Sequence, residues 1–257
     1  MPEPQRPPAD TGTVARAIAV LRAVAESGDG TQIKRLSADL GLPASTVHRL
    51  LDLLMREGMV ERDEEAPTYR TGREFLRLSS VVASNHPLPA LAGPLLEQAV
   101  ALVNETAYLC LYLPRERRLT FASHVESTHP LGYRVRSHEP QTLLTGASGR
   151  SILAFLPVEE LAAVLAREGL AGRLGLAEDL AAIRARGYAL SFGQRIAGAV
   201  GIFAPVFGAG GRVTGSLGFT IPEQRFEPAR EAAFAREACR LAAELSAGLG
   251  YCAREGA

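Results

Sequence analysis

Residues 45 to 49, Ser-Thr-Val-His-Arg, bring two hydroxyls, an imidazole and a guanidinium within little more than one helical turn. In the first turns of a helix such groups reach base edges in a major groove, while the terminal N–H groups face phosphate. Arg49 suits a bidentate contact to guanine, Ser45 and Thr46 suit phosphate or base, and His48 suits either. A second cluster, Gly146-Ala147-Ser148-Gly149-Arg150, stands where a strand gives way to a helix, so its backbone N–H groups can hold an anionic or carbonyl oxygen. It is not a nucleophile elbow, because Arg150 occupies the second glycine of G-x-S-x-G. Residues Gly208 to Val213 fail G-x-G-x-x-G at its last position. His124, Glu126, His129 and His138 match no closed zinc spacing, and a strand-end turn is the simpler setting for them. The sequence predicts no catalytic residue, no metal ligand set and no cofactor, so the chain is read as a non-enzyme.

The elements that must position Arg49 come first. Val14, Ile18, Leu21 and Val24 or Ala25 recur at helical spacing and mark a first helix, which Gly28-Asp29-Gly30 ends. Thr31 is placed to cap a second helix carrying Ile33, Leu36, Ser37 and Leu40 on one face, with Gly41 at its C-terminal stop. Pro43 fits the first position of a third helix running to about Glu57. At about 100° per residue, Leu50, Leu51 and Leu54 fall near Val47, while Ser45, Arg49, Asp52 and Arg56 lie opposite and His48 on the flank. Residues 59–62 and 68–71 then alternate like two strands about a turn at 63–67. Two helices, a tight glycine turn and a hairpin make a winged helix-turn-helix. Arg56, Arg16, Lys34, Arg35, Tyr69 and Arg70 are its candidate backbone contacts. Acids outnumber bases in residues 1–72, and Asp63-Glu64-Glu65 at the wing tip repels phosphate, so the stem (Arg62, Tyr69, Arg70) should contribute more than the tip.

Composition limits the rest. The chain has 257 residues, 47% hydrophobic and 22% charged, enough for one large domain or two modest ones. Lys+Arg 28 balance Asp+Glu 28, so any attraction for nucleic acid must be local. No apolar run is long enough to span a bilayer. The proline-rich start, residues 1–10, reads as a disordered leader with no secretory signal, which predicts a cytoplasmic protein. Cys110, Cys239 and Cys252 fit neither a disulfide framework nor a zinc finger.

Beyond Gly72, a connecting helix is predicted over 73–85 with Phe75, Leu76, Leu78 and Val82 on one side, broken at His86-Pro87-Leu88-Pro89. Helices are predicted near 90–104, 147–155, 158–167, 177–186 and 228–249. Strands are predicted at 106–113, 119–125, 132–136, 188–192, 200–207 and 213–220. The expected division is a leader (1–10), a winged helix-turn-helix (11–72), a linker helix (73–89) and an α+β domain (90–257).

The run Leu40-Gly41-Leu42-Pro43-Ala44-Ser45-Thr46-Val47-His48-Arg49-Leu50-Leu51 resembles the helix-turn-helix of IclR-type bacterial transcriptional regulators. The flanking Ala15 to Leu21 and Tyr69-Arg70-Thr71-Gly72 agree with it. The later segments 125–131, 146–154, 186–189 and 204–206 resemble the effector domain of the same family, in the same order. The resemblance implies a GAF-like domain with a curved antiparallel sheet, a dimer or dimer of dimers on a palindromic double-stranded operator, and control by a small organic effector. It also implies an effector site at Gly146, Ala147 and Ser148, at Ser191, Phe192, Ala199 and Gly201, and at Gly218 and Thr220. Here Ser191 and Phe192 replace frequent acids, Gly201 a frequent cysteine and Gly218 a frequent serine. With Phe192, Phe203 and Phe219 nearby, this favours a larger or more apolar effector, an aromatic or carboxylic acid metabolite. The competing reading is a small-molecule sensor whose N-terminal module pairs proteins and does not touch DNA.

Overall fold

The computed structural model describes residues 12–28, 30–63, 66–85, 87–133, 135, 139–169 and 175–252. The chain forms two compact units that divide after residue 86.

The first unit contains α1 (Thr13–Glu26), α2 (Ile33–Leu40), α3 (Ala44–Arg56), β1 (Val60–Arg62), β2 (Tyr69–Thr71) and α4 (Arg73–Asn85). Leu36 and Leu40 of α2, Val47, Leu50 and Leu51 of α3, and Val20 and Val24 of α1 close over one core with Val60 and Tyr69. Each fully buried leucine contributes roughly 1.5–3 kcal/mol, so these few side chains hold the unit. Gly41 ends α2 in the left-handed region at φ 63°, and the Ser37 hydroxyl donates to the Leu42 carbonyl at 2.6 Å, fixing the turn into α3.

Three local expectations are corrected. The inward face of α1 runs through Ala17, Val20, Leu21 and Val24, whereas Val14 and Ile18 are 74% and 54% exposed. So many α1 positions are apolar that two stripes coexist, and packing against α3 selects the one with smaller residues. Thr31 does not cap α2. Gln32 holds that position, and Thr31 instead pairs with Tyr69, its N–H donating to the Tyr69 carbonyl at 2.9 Å and its carbonyl accepting from the Tyr69 N–H at 2.7 Å. Pro43 is the residue before α3, not its first helical residue, and its carbonyl accepts from Thr46 and Val47. On α4, Leu76 and Leu78 of the predicted apolar side are exposed and Phe75 is half-buried.

The second unit begins with α5 (Pro87–Val103), three residues earlier than the sequence suggests, because proline is compatible with a helix's first turn. His86, part of the predicted break, lies outside the described residues. Then follow β3 (Thr106–Leu113), β4 (Arg118–Val125), α6 (Gly146–Leu153), α7 (Val158–Arg167), α8 (Leu176–Arg186), β5 (Ala189–Phe192), β6 (Ala199–Phe207), β7 (Val213–Pro222) and α9 (Glu231–Gly248). The five strands form one antiparallel sheet in the order β4-β3-β7-β6-β5. No strand forms at 132–136 among the described residues; the Tyr133 carbonyl accepts the Tyr108 hydroxyl at 2.8 Å instead of joining a ladder. Residues 134 and 136 of that stretch lie outside the described residues.

Alternation along β6 and β7 divides the core. Val200, Ile202, Leu217 and Phe219 turn to α5 and α9, where Phe219 meets Phe234 at 5.9 Å between ring centres. Phe203, Phe121 and Tyr108 turn to the opposite face with Leu143, Ile152 and Ile183. The second face carries the pocket.

Candidate nucleic-acid interface and ligand pocket

Burying Val47, Leu50 and Leu51 obliges α3 to turn Ser45, His48 and Arg49 outward, and all three are exposed, with Thr46 half-buried beside them. The helix start has no side-chain cap and no acid in its first turn, so its positive end is open to an anion. Arg49 has no ion pair among the described residues. His48 is tied through Nδ1 to the Asp52 carboxylate at 3.0 Å, which leaves its other ring nitrogen turned away from that bond.

The flanking candidates divide. Lys34 and Arg56 are exposed, Arg16 is half-buried, and Arg35 lies 3.6 Å from Asp39. Arg70 is exposed, but its Nε bonds Glu61 at 2.9 Å and its guanidinium lies 3.8 Å from Asp63, so acids of the same hairpin already occupy it. Tyr69 is a correction: at 4% exposure it belongs to the core, where pairing with Thr31 turns it inward. Glu64 and Glu65 of the wing tip lie outside the described residues.

In the second unit a small, half-open pocket has about 330 Å³ of empty space when the open solvent at its mouth is included. The start of α6 (Gly146, Ala147, Ser148) forms one wall, and Ser191, Ala199, Gly201 and Thr220 supply the strand floor. Ala147 N–H donates to Ser191 Oγ at 2.9 Å, and Gly146 N–H donates to Gln194 Oε1 at 3.3 Å.

Two expected effector residues stand elsewhere. Phe192 follows Ser191 along β5 and points the other way, 50% exposed, with its ring 5.6 Å from Phe226. Gly218 lies beneath Phe203, where a Cβ would stand 2.7 Å from that ring, so its smallness serves strand packing. Phe219 faces α9, as its contact with Phe234 requires. The apolar wall is therefore Phe121, Val135, Ile196 and Phe203. Of these, only Phe203 is singled out by sequence reasoning.

Arg195 is the residue that reasoning missed. It lies in the turn between β5 and β6, the one cation in a stretch of small and apolar residues, and that isolation is the signal that was available. Its guanidinium donates to the Thr142 and Thr145 carbonyls, at 2.9 Å to the former, and stands 5.7 Å from the Phe121 ring centre. Its Nε is buried and has no hydrogen-bond partner among the described residues. Burial holds its pKa below the ordinary arginine value.

Nothing in this arrangement resembles a nucleophile with its base. Burial pushes the Cys110 thiol up to about 12, which leaves it protonated and unreactive near neutral pH. His124 lies 3.8 Å from Glu126, and His129 lies 3.3 Å from Asn104. Among the described residues no three potential metal ligands cluster, and no helix is long and apolar enough to cross a membrane. His138 lies outside them.

A winged helix with an open polar helix start, in one chain with an α+β unit holding a small pocket, has the build of a one-component regulator. The model of the IclR helix-turn-helix domain matches residues 13–64, and that of the bacterial transcriptional regulator IclR C-terminal domain matches residues 80–247. The chain belongs to the IclR family of bacterial transcriptional regulators. It is 29% identical over 243 residues to the HTH-type transcriptional regulator BhcR of Paracoccus denitrificans, covering 91% of this chain and 86% of that one. Its fold matches a solved chain from Silicibacter sp. TM1040 at a TM-score of 0.85, with 25% identity over 95% of this chain and 98% of the other. An IclR homologue from Microbacterium hydrocarbonoxydans, solved with 4-hydroxybenzoate, shares the fold at a TM-score of 0.76 and 20% identity, over 93% and 99%. It is also 24% identical over 252 residues to the transcriptional repressor IclR of Escherichia coli, covering 93% of this chain and 90% of that one.

Proposed function

We propose that this regulator reads a specific double-stranded operator through the polar flank of α3 and that a small organic acid in the pocket modulates that binding. One observation carries the reading: Arg49 is exposed, without an ion pair among the described residues, and directly opposite the leucines that anchor its helix. Ser45 and Thr46 flank it at the uncapped helix start, where phosphate is favoured. Lys34, Arg35, Arg56 and Arg16 supply backbone contacts, and Arg70 contributes less because Glu61 and Asp63 hold it.

The working form is a homodimer, or a dimer of dimers, on a palindrome. Exposed Val14 and Ile18 on α1 and Leu76 and Val81 on α4 offer apolar surface for self-association. The same stripe is what favours the second reading, an N-terminal unit that pairs proteins without DNA. In the first reading the protein works beside the chromosome, in the cytoplasm. The 4-hydroxybenzoate held by the Microbacterium relative and the Phe121 and Phe203 walls here support an aromatic or related carboxylic acid as effector.

Nuclease footprinting of the DNA upstream of the protein's own gene tests this. Two protected half-sites about 34 Å apart, or a multiple of that spacing, are expected. They should shift or weaken when a panel of aromatic acids is added. Absence of protection anywhere upstream, with the chain still self-associating, favours the protein-pairing reading.

A further inference from the structure

Asp52 follows His48 by one helical turn on α3, and the two side chains are joined: His48 Nδ1 lies 3.0 Å from Asp52 Oδ2, with 57% and 41% of the two exposed. Arg49 and Arg56 also stand at helical neighbour positions of Asp52, three residues before and four after. Neither forms an ion pair with it among the described residues, so the carboxylate is committed to the imidazole. A carboxylate can only accept, which places the hydrogen of that bond on Nδ1. A neutral imidazole carries one N–H, and with it on Nδ1 the exposed Nε2 is a bare acceptor.

That makes His48 unlike its neighbours on the flank. Arg49 can only donate, and the Ser45 and Thr46 hydroxyls can do either. Phosphate oxygens, guanine N7 and O6 and thymine O4 all accept, so a bare Nε2 has nothing to bond there. The donors of the major groove are the exocyclic amino groups, N6 of adenine and N4 of cytosine. We infer that Asp52 is a positioning residue for operator specificity: it holds His48 as an acceptor, and His48 Nε2 takes a hydrogen bond from one such amino group. The inference rests on the proposed reading of α3 as the helix that reads DNA.

The sign of the Asp52 effect separates positioning from plain charge. An acid that merely faces the duplex repels phosphate, so its removal should tighten every sequence alike. A positioning acid should cost the operator part of its advantage over a scrambled duplex.

Fluorescence-anisotropy titrations of wild type, His48→Ala, Asp52→Ala and the double variant, at fixed salt and about pH 8 to keep imidazoles neutral, read this directly. The preference for the footprinted operator over the scrambled duplex should fall about fivefold or more in each single variant and no further in the double. Asp52→Glu should keep part of it. In operators where purine replaces one adenine, or 2-pyrimidinone one cytosine, a single lost amino group should weaken wild type and leave His48→Ala and Asp52→Ala indifferent; its identity tells adenine from cytosine. Replacing guanines by 7-deazaguanine should affect all of these proteins alike. Nitrogen-15 NMR should find the His48 hydrogen on Nδ1 in wild type and shared with Nε2 in Asp52→Ala, and melting establishes that each variant is folded. Asp52→Ala tightening operator and scrambled duplex by one factor overturns the positioning role and leaves α3 standing as the reading helix. So does a wild-type hydrogen on Nε2, or a His48→Ala variant blind to 7-deazaguanine and not to the amino groups. Wild type without preference for the operator, and matched by Arg49→Ala, overturns the reading of α3 and this inference with it.

Discussion

Arg195 crosses the chain at Gly146 so closely that a Cβ added there would stand 3.2 Å from the arginine's own Cβ. Gly146 also holds φ at 77°, a conformation open chiefly to glycine. The contact joins the turn after β5 to the start of α6 and sets the shape of the pocket mouth. Gly146→Ala is expected to cost about 1–3 kcal/mol and to weaken ligand binding together with stability. Thermal melting of this variant with and without 4-hydroxybenzoate is the check, and both transitions should lie below those of wild type.

Tyr69 is the hinge of the first unit's core. It seats the wing strand against Thr31 and fills space beside the α1 and α3 side chains. Tyr69→Ala should cost about 3–5 kcal/mol, the range for removing a buried aromatic ring. Amide hydrogen exchange is the check, with protection lost at residues 31 and 69 and through α3, while the β6 and β7 amides keep theirs.

The thiols should separate by reactivity. Cys252 is exposed, whereas Cys110 is buried with its pKa raised to about 12. At pH 8 an alkylating reagent should therefore label Cys252 in the native chain and reach Cys110 only after denaturant is added. The raised value also has a sign. The folded thiol stays protonated while the unfolded one ionises near 9.0, so the contribution is fully present below about pH 9 and is lost as pH climbs toward 12. Native Cys110 labelling as fast as Cys252 would contradict the packing described.

How much the sequence reveals depends on how local the cause is. α3 is legible because Val47, Leu50 and Leu51 repeat at helical spacing and leave one polar flank. α1 misleads because alanines pack inward while the larger Val14 and Ile18 stay out, a choice made by the neighbour and not by periodicity. Thr31 looks like a cap from its type, yet a strand residue 38 positions along claims its backbone. The pairing of β3 with β7 spans more than a hundred residues and has no local signature. In the pocket, the small residues of α6 and β6 are readable by resemblance. Phe192 and Gly218 are misplaced, one by strand parity and one by a close approach visible only in three dimensions. Arg195 escapes because a single cation in a turn has no pattern until the helix start is brought beneath it.

The proposed function stands or falls with Arg49 and its neighbours reading base edges from the outer flank of α3. The most direct test is a fluorescence-anisotropy titration of wild type and Arg49→Ala against the footprinted operator and a scrambled duplex of the same length, at fixed salt. The expected result is a loss of about 1–3 kcal/mol on the operator, roughly 5- to 150-fold in Kd, with little change on the scrambled duplex and an unchanged melting temperature. Equal affinities of the two proteins for the operator would contradict it.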